Sequence, residues 1–413
     1  MAPTLEHFLR PRSFDPNTPK DAFRDEWSNP SNYAFTVLLL IGGDLINRAL
    51  AQLAGGLVTP VAFSFGWVSY ATSSICSAMG EYRLMPDPDT SCSLINGKNG
   101  YVRGNNSWVL GRIMRDYEFW MGPSVQAKTE SLLDARWEFE KRKEQELNLG
   151  SSVPLPRPAQ AGLVVSVWKP KRDVKPGEPG HDLLHWSGLV VTAVQLCVAA
   201  IPLGLTGDWG VLLITGVATL LCYATGSVSQ WKVEKWACRS LQFRQKKNFV
   251  LTRGNGAQHA IAIISDGYGL DLEDLAAGFS NIDSPTITIF AQLITIVLGI
   301  LWVALLITAS GLTQDSWYLI AIGGIGMLQN IFVAGWKRTP EAYGIPLEFV
   351  EVIGDVKVMK TLMEVERRYE HLGKSMLGVF FPGNLRDDET RQWEDIEHEW
   401  QQKKSSREEV KGK

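Results

Sequence analysis

The sequence predicts a polytopic α-helical membrane protein, with six transmembrane helices in three hairpins plus a small cytosolic α+β domain built from loops. Two observations predict the membrane class. Six apolar windows reach the bilayer-spanning length of about 20 residues, and every Lys and Arg except Arg48 lies outside them. A third observation, two β-branched runs bounded by Pro or Gly, predicts strands in the loops.

The six windows pair into three hairpins with short connections. Only a helix satisfies its own backbone hydrogen bonds in hydrocarbon, so each window is expected to be helical. The first pair bends near Pro60. The predicted hairpins are 33–79, 183–229 and 285–336. The other predicted segments are an N-terminal segment 1–32, a loop with a strand and Pro-rich linkers 80–182, an α/β segment 230–284, and a helical C-terminal tail 337–413.

The distribution of basic residues predicts the orientation of the chain. The hairpin tips carry no Lys or Arg, whereas segment 80–182 carries 15 and segment 337–413 carries 14. Cytosolic segments carry an excess of Lys and Arg, so both termini and both long loops are predicted to be cytosolic. We expect the endoplasmic reticulum or another endomembrane rather than the plasma membrane. The glycosylation sequon at Asn105 would then stay unmodified.

The long loops are predicted to contribute to one folded domain. Residues 161–168 are β-branched and lie between two prolines, and residues 259–265 form an apolar run that ends at an Asp-Gly turn. Both patterns predict strands of one sheet. Residues 124–147 and 270–278 are predicted to be helical. The simplest assembly is a small α+β domain against the inner leaflet.

The C-terminal tail is predicted to be helical. Residues 344–376 contain apolar positions at helical spacing, and the last 30 residues are charged with Trp393, Ile396 and Trp400 on one face. That apolar stripe is typical either of a loosely docked tail or of a helix that binds a partner. The predicted partners are therefore the lipid bilayer and cytosolic proteins bound through this helix, and not nucleic acid.

A polar stripe in the first window is the most unusual chemical feature of the chain. Asp44, Asn47, Arg48 and Gln52 are three or four residues apart and would share one helix face. Asp44 and Arg48 are i,i+4 neighbours that can pair, which reduces the cost of placing each charge in the membrane. Two interpretations remain open: a structural clamp that fixes helix register, and a pocket for a substrate or ion.

Histidines near the predicted membrane interface are the second candidate group. His181 and His185 are one helical turn apart, a spacing that suits a metal ion, but another ligand such as His259 or Cys238 would have to complete the site. The chain has only six histidines, too few for a histidine-rich membrane di-iron centre. We therefore predict no metal and no cofactor, and keep His181, His185 and His259 as interfacial candidates.

Three segments carry a resemblance to a known family. They are residues 95–112 (INGKNGYVRGNNSWVLGR), 269–276 (GLDLEDLA) and 375–386 (SMLGVFFPGNLR). They resemble a family of filamentous-fungal multi-pass integral membrane proteins, and the likeness runs from about residue 26 to about residue 393. The resemblance implies a fungal source and proximity of some members to secondary-metabolite gene clusters. It implies no established activity and no assigned catalytic residues.

Three classes of function fit these features. We rank first a membrane-anchored accessory or scaffold protein with a large cytosolic face, because the sequence shows no catalytic constellation. The second is an enzyme acting on a lipophilic substrate, isoprenoid or polyketide-like, with Asp44 and Arg48 in a pocket and His185 or His259 as acid or base. The third is a small-molecule transporter, which only the polar stripe supports. Whether the protein is an enzyme stays open at this point.

Overall fold

The computed structural model describes residues 41–80, 83–146, 155–242, 245–278, 285–312 and 315–411. The predicted N-terminal segment 1–32 lies outside these residues. The helices are α1 Gly43–Leu53, α2 Trp67–Gly80, α3 Trp108–Arg115, α4 Tyr117–Trp120, α5 Pro123–Glu146, α6 Leu183–Thr206, α7 Gly210–Gly226, α8 Ser229–Lys235, α9 Leu272–Ala277, α10 Pro285–Ser310, α11 Ser316–Gly335, α12 Val358–Arg368, α13 Leu372–Phe380 and α14 Asp387–Lys411. The strands are β1 Ser93–Asn96, β2 Val102–Gly104, β3 Leu163–Pro170, β4 Lys247–Thr252, β5 His259–Ser265 and β6 Leu347–Asp355.

Four long apolar helices are candidate membrane spans and indicate a multi-pass membrane protein. They are α6, α7 with its continuation α8, α10 and α11. Their bounds agree with the hairpins predicted at 183–229 and 285–336 to within a few residues. The ends follow from local sequence: the Asp182 side chain accepts a hydrogen bond from His185 N at the start of α6, and Gly207 ends that helix in the left-handed conformation.

The first predicted hairpin, 33–79, does not form two spans within its described residues. Helix α1 has 11 residues and α2 has 14, both shorter than the roughly 20 residues that cross a bilayer. Residues 33–40 lie outside the described part. Between the two helices, residues 54–66 run in a non-helical path that we call the extended segment. The structure thus shows four candidate spans, and the prediction of six is not shown.

Polar side chains of the long helices satisfy the backbone of the extended segment. Gln195 on α6 donates through Nε2 to Phe63 O at 2.6 Å and to Ile322 O at 2.8 Å. Asn330 on α11 donates through Nδ2 to Ala62 O at 3.0 Å. Non-helical backbone among membrane helices is tolerated only where protein or water satisfies its polar groups, so these amides explain why the chain can leave the helix here.

Glycines let the extended segment approach the helices. A Cβ at Gly326 on α11 would overlap Phe63 O, and one at Gly188 on α6 would overlap Pro60 O. Residues 59–66 of the segment are therefore packed in the interior, with Val61 and Ala62 fully buried, whereas Leu57 and Val58 are exposed. We call α1, α2, α6, α7, α10, α11 and this segment the bundle.

The remaining elements form one mixed six-stranded sheet in the order β2-β1-β4-β5-β3-β6. Strands β3 and β5 pair in parallel, with Val164 opposite His259, and the other neighbours are antiparallel. The predicted strands at 161–168 and 259–265 are confirmed as the adjacent β3 and β5. Both are buried on both faces, which is why they appear in sequence as continuous apolar runs.

Helices cover both faces of this sheet. We call the sheet and these helices together the sheet domain. One face carries residues such as Phe249 and Ile261, which belong to a hydrophobic core that continues into the bundle at Ile46 and Trp302. The other face packs against α12, α13 and α14 in a second core. The helices predicted at 124–147 and 270–278 are confirmed as α5 and α9.

The tail prediction was partly wrong. Residues 344–376 do not form a helix throughout, because β6 pairs with β3 and places Val352 opposite Ser166 before α12 begins. The charged helix is present as α14, and its stripe is covered by the chain itself: Trp393 and Ile396 are buried, and Trp400 Nε1 donates to Glu366 O at 2.8 Å. Partner binding through α14 stays a prediction, and the outward face is the part left for it.

Candidate functional site

The predicted polar stripe is divided by the structure. Gln52 is fully buried at the end of α1, and its Nε2 donates to Val333 O at 3.2 Å and Trp336 O at 3.0 Å. Asp44 and Arg48 are exposed and Asn47 is half-buried. Within the described residues no ion pair joins Asp44 to Arg48, and the choice between a structural clamp and a pocket stays a prediction.

Gln52 leads to a network of buried cations between the bundle and the sheet domain. Lys235, 1% exposed at the end of α8, donates through Nζ to Ala54 O at 2.8 Å and to Gln52 O at 3.2 Å. Arg338 donates through Nη1 to the same Gln52 O at 2.6 Å. These oxygens lie at the C-terminus of α1, which has no basic residue in its own last turn.

Arginines of α3 bind the end of α11 in the same way. Both Nη atoms of Arg112 donate to Ala334 O at 3.1 Å, and Arg115 Nη2 donates to Trp336 O at 3.2 Å. Helix α11 also has no basic residue in its last turn. A helix C-terminus carries partial negative charge and unpaired carbonyls, so a cation supplied from another element stabilises it.

Carboxylates complete this network, which we call the junction. Asp116, 1% exposed, accepts from Arg338 N at 3.1 Å and from Tyr343 Oη at 3.0 Å, and pairs with Arg115 Nε at 2.7 Å. Burial and the neighbouring Asp116 carboxylate raise the pKa of Tyr343, so it stays a neutral donor. Asp182 pairs with Arg338 Nε at 2.6 Å.

Asp89 is the third carboxylate, and it approaches Arg112 without an aligned hydrogen bond. Asp89 Oδ2 lies 2.7 Å from Arg112 Nε, but that nitrogen has no acceptor of good geometry within the described residues. The contact therefore acts mainly through charge, since attraction between ions depends less on angle than a hydrogen bond does.

The junction joins basic groups to carboxylates and to helix ends. It contains four basic side chains and three carboxylates: Arg112, Arg115, Lys235, Arg338, Asp89, Asp116 and Asp182. The two helix C-termini each contribute about half a negative charge. Each of these buried groups is paired with an opposite charge or hydrogen-bonded to a helix end, which offsets the cost of burying it, so this arrangement fixes the sheet domain on the bundle.

A cavity of about 370 Å³ lies beside the junction. Trp108, Glu234 and Lys235 are among its lining residues. The adjacent acid and amine suggest acid–base chemistry, but Glu234 accepts from the backbone N–H groups of Leu84 and Met85 at 2.7 to 3.0 Å. Since Lys235 is bound to carbonyls, both groups hold backbone in place.

The histidines do not form a metal site within the described residues. The His181 and His185 rings lie 4.6 Å apart between centroids, as their spacing predicted. Asp182 between them is occupied by Arg338 and by the start of α6. His259 lies instead at the start of β5, beside the Tyr117 ring at 5.2 Å, and no group of three potential ligands comes together in the described ranges.

His259 lines a separate cavity of about 360 Å³ in the sheet domain. The cavity lies between the α3–α4 turn and the β4–β5 hairpin, where Arg253 and Gln258 also line it. The pKa of His259 lies below its ordinary value, mainly because the ring is buried. The nearby Glu118 charge raises this pKa and the Arg253 charge lowers it, and with the net shift downward the imidazole is neutral near pH 7. The Tyr117 hydroxyl donates to Ser166 Oγ at 2.7 Å, which fixes that ring at the cavity wall.

Most junction residues are not identifiable from sequence. Lys235 is visible there only as a basic residue flanking a helix, and Arg112 and Arg338 only as loop charges. Their acceptors belong to helices more than 180 residues away along the chain. A usable signal is the lack of basic residues in the last turns of α1 and α11, which implies that caps come from elsewhere.

The chain was compared with protein-family models, with curated proteins and with solved structures, and none of the three comparisons found a match.

Proposed function

We propose that this protein is a membrane-anchored accessory or scaffold protein, which holds the sheet domain at a fixed position on the cytosolic face of an endomembrane. The proposal includes cytosolic termini and loops, which the distribution of Lys and Arg supports.

The junction is the observation that carries the proposal. A domain joined by a flexible linker needs no buried contacts with its anchor. Here Arg112, Lys235 and Arg338 are each at most 3% exposed, and each binds the end of a bundle helix. The hydrophobic core also continues from the bundle into the sheet domain. A fixed domain presents the same surface to every partner at the membrane.

The outward face of α14 is the surface we propose for partner contact. The inward residues Trp393 and Ile396 are buried in the second core, whereas Glu394 and Asp395 are exposed. A partner that binds here would recognise the acidic residues of this face through charge, because the apolar stripe of α14 is buried.

Crosslinking in intact membranes, followed by mass spectrometry, tests this function. The full-length protein should yield a reproducible cytosolic partner with crosslinks to α14. The double substitution Glu394→Lys and Asp395→Lys should reduce that partner by reversing the local charge. Asp44→Asn, which removes one exposed charge on α1 in the bundle, is the control outside α14 and should change neither the crosslinks nor the metabolite profile of cells. Loss of one metabolite in Asp44→Asn cells at full protein abundance would contradict the scaffold and favour a membrane enzyme.

A further inference from the structure

The cavity at the β4–β5 hairpin has the size of a ligand site. Its volume of about 360 Å³ falls in the range of roughly 300–1,000 Å³ typical of small-molecule pockets. Met114 and the Tyr117 ring supply apolar wall, and the hairpin supplies Arg253, Gln258 and His259. Nothing in the scaffold function requires such a cavity.

Two buried polar groups at this cavity have no partner among the described residues. Gln258 is 9% exposed, and its Nε2 donors are buried without an acceptor. His259 Nδ1 is likewise buried and unpaired. Burying a polar group without a hydrogen bond is unfavourable, so such groups at a cavity wall indicate that something else completes their bonds.

The backbone around these groups is held in place. Gln258 O accepts from Val164 N at 2.7 Å, and His259 begins β5 in the middle of the sheet. Sites built on rigid elements hold a ligand with less loss of entropy on binding. The unpaired groups therefore belong to the strand framework and are not the ends of a loose loop.

The charges at the rim define what fits. Arg253 is exposed and forms no ion pair with any described residue, and its Nη2 makes only a 3.5 Å contact with Met114 O. A free guanidinium matches the planar geometry of a carboxylate. Glu118, an exposed residue of α4 that also lines the cavity, repels ligands of high negative charge. A single acidic group is the best match for this pair.

We propose that this cavity binds a small organic carboxylate, whose acid group pairs with Arg253 and whose other polar atoms bond the Gln258 amide and the His259 imidazole. An apolar part of the ligand would contact Met114 and the face of Tyr117. The site is independent of the scaffold function, since it lies away from the outward face of α14.

Calorimetric titration of the full-length protein with sodium benzoate tests the proposal. We expect weak binding with a Kd of roughly 1 mM, as for a ligand with one charged group. Arg253→Gln should weaken binding by about tenfold. Glu118→Gln should strengthen it, because it removes the repelling charge. Benzamide, which has the same shape without the charge, should bind much more weakly than benzoate.

Arg391→Gln, an exposed arginine on α14, is the matched control and should bind benzoate as the unmodified protein does. Arg253 is exposed, so its substitution leaves the fold intact, which the melting temperature verifies. Absence of benzoate binding, or equal binding by Arg253→Gln, would overturn the site. Neither result affects the crosslinking test, so the two proposals fail separately.

Discussion

At the scale of single residues, Lys235 shows how a basic side chain is accommodated inside this protein. Lysine is almost never fully buried unless it is paired, yet Lys235 is 1% exposed and forms no ion pair with any described residue. Its partners are Gln52 O and Ala54 O at the end of α1. The partial negative charge of that helix end takes the place of a carboxylate.

Replacement of this lysine should therefore destabilise the protein. Lys235→Met keeps the volume but leaves the Ala54 carbonyl without its donor and removes one of the two donors to Gln52 O. We expect this to cost about 1–3 kcal/mol in the free energy of unfolding. Lys232→Met, an exposed lysine on the same helix, should have little effect. Melting temperatures of the two variants in detergent compare them, and equal values would show that Lys235 is not a cap.

His259 makes a prediction about pH. Its pKa in the folded protein is below the ordinary 6.5, mainly because of burial. The unfolded chain therefore binds this proton first as the pH falls, so folding stability contributed by the neutral imidazole is present above pH 6.5 and is lost below it. The melting temperature of the native protein should fall between pH 7 and pH 5 more steeply than that of His259→Gln. Parallel curves would contradict a buried neutral imidazole.

At the scale of elements, the extended segment depends on glycines in neighbouring helices. Gly326→Ala would place a methyl group against Phe63 O and close to Gln195 Nε2, which lies 2.7 Å from the Cβ position. The segment must then shift and lose the hydrogen bonds to its backbone. We expect the free energy of unfolding to fall by about 1–3 kcal/mol.

Gly324→Ala is the control for that substitution. It lies on the same helix, but nothing lies within 4 Å of its Cβ position, and alanine is the better helix former. Thermal unfolding should show a large decrease in melting temperature for Gly326→Ala and no decrease for Gly324→Ala. A similar result for both would mean that the segment does not pack against α11 as the structure has it.

The elements also show what sequence can predict here and why. Helices α6 and α10 were predictable because hydrophobicity alone specifies a span. The extended segment was not, since a buried extended chain is as apolar as a buried helix. Strand β6 was assigned to a helix because its pairing with β3 is a non-local contact. Of the predicted polar stripe, Gln52 belongs to the junction, but the basic residues that bind its carbonyl come from the end of α8 and from the segment after α11, both far away in sequence.

At the scale of the whole molecule, the proposed orientation predicts that Asn105 carries no sugar. This residue lies beside α3 in the sheet domain, which we propose to be cytosolic from the distribution of basic residues. Treatment with an endoglycosidase should leave the mobility of the protein from native membranes unchanged. A shift that disappears in Asn105→Gln would place the domain on the opposite side of the membrane.

If the junction fixes the sheet domain on the bundle, the distance between the two parts has a single value, which electron–electron distance measurement can detect. Spin labels are attached at Lys360 on α12 and at Leu205 at the far end of α6, two positions that are both exposed. The exposed Cys76 and Cys197 are first replaced by serine so that they do not react with the label. We predict one narrow distance distribution in the labelled protein that is otherwise native, and the same distribution in the control variant Lys232→Gln. The double substitution Arg112→Gln and Arg338→Gln should broaden it. A broad distribution in the native protein, or a narrow one that survives the double substitution, would show that the junction does not fix the sheet domain on the bundle.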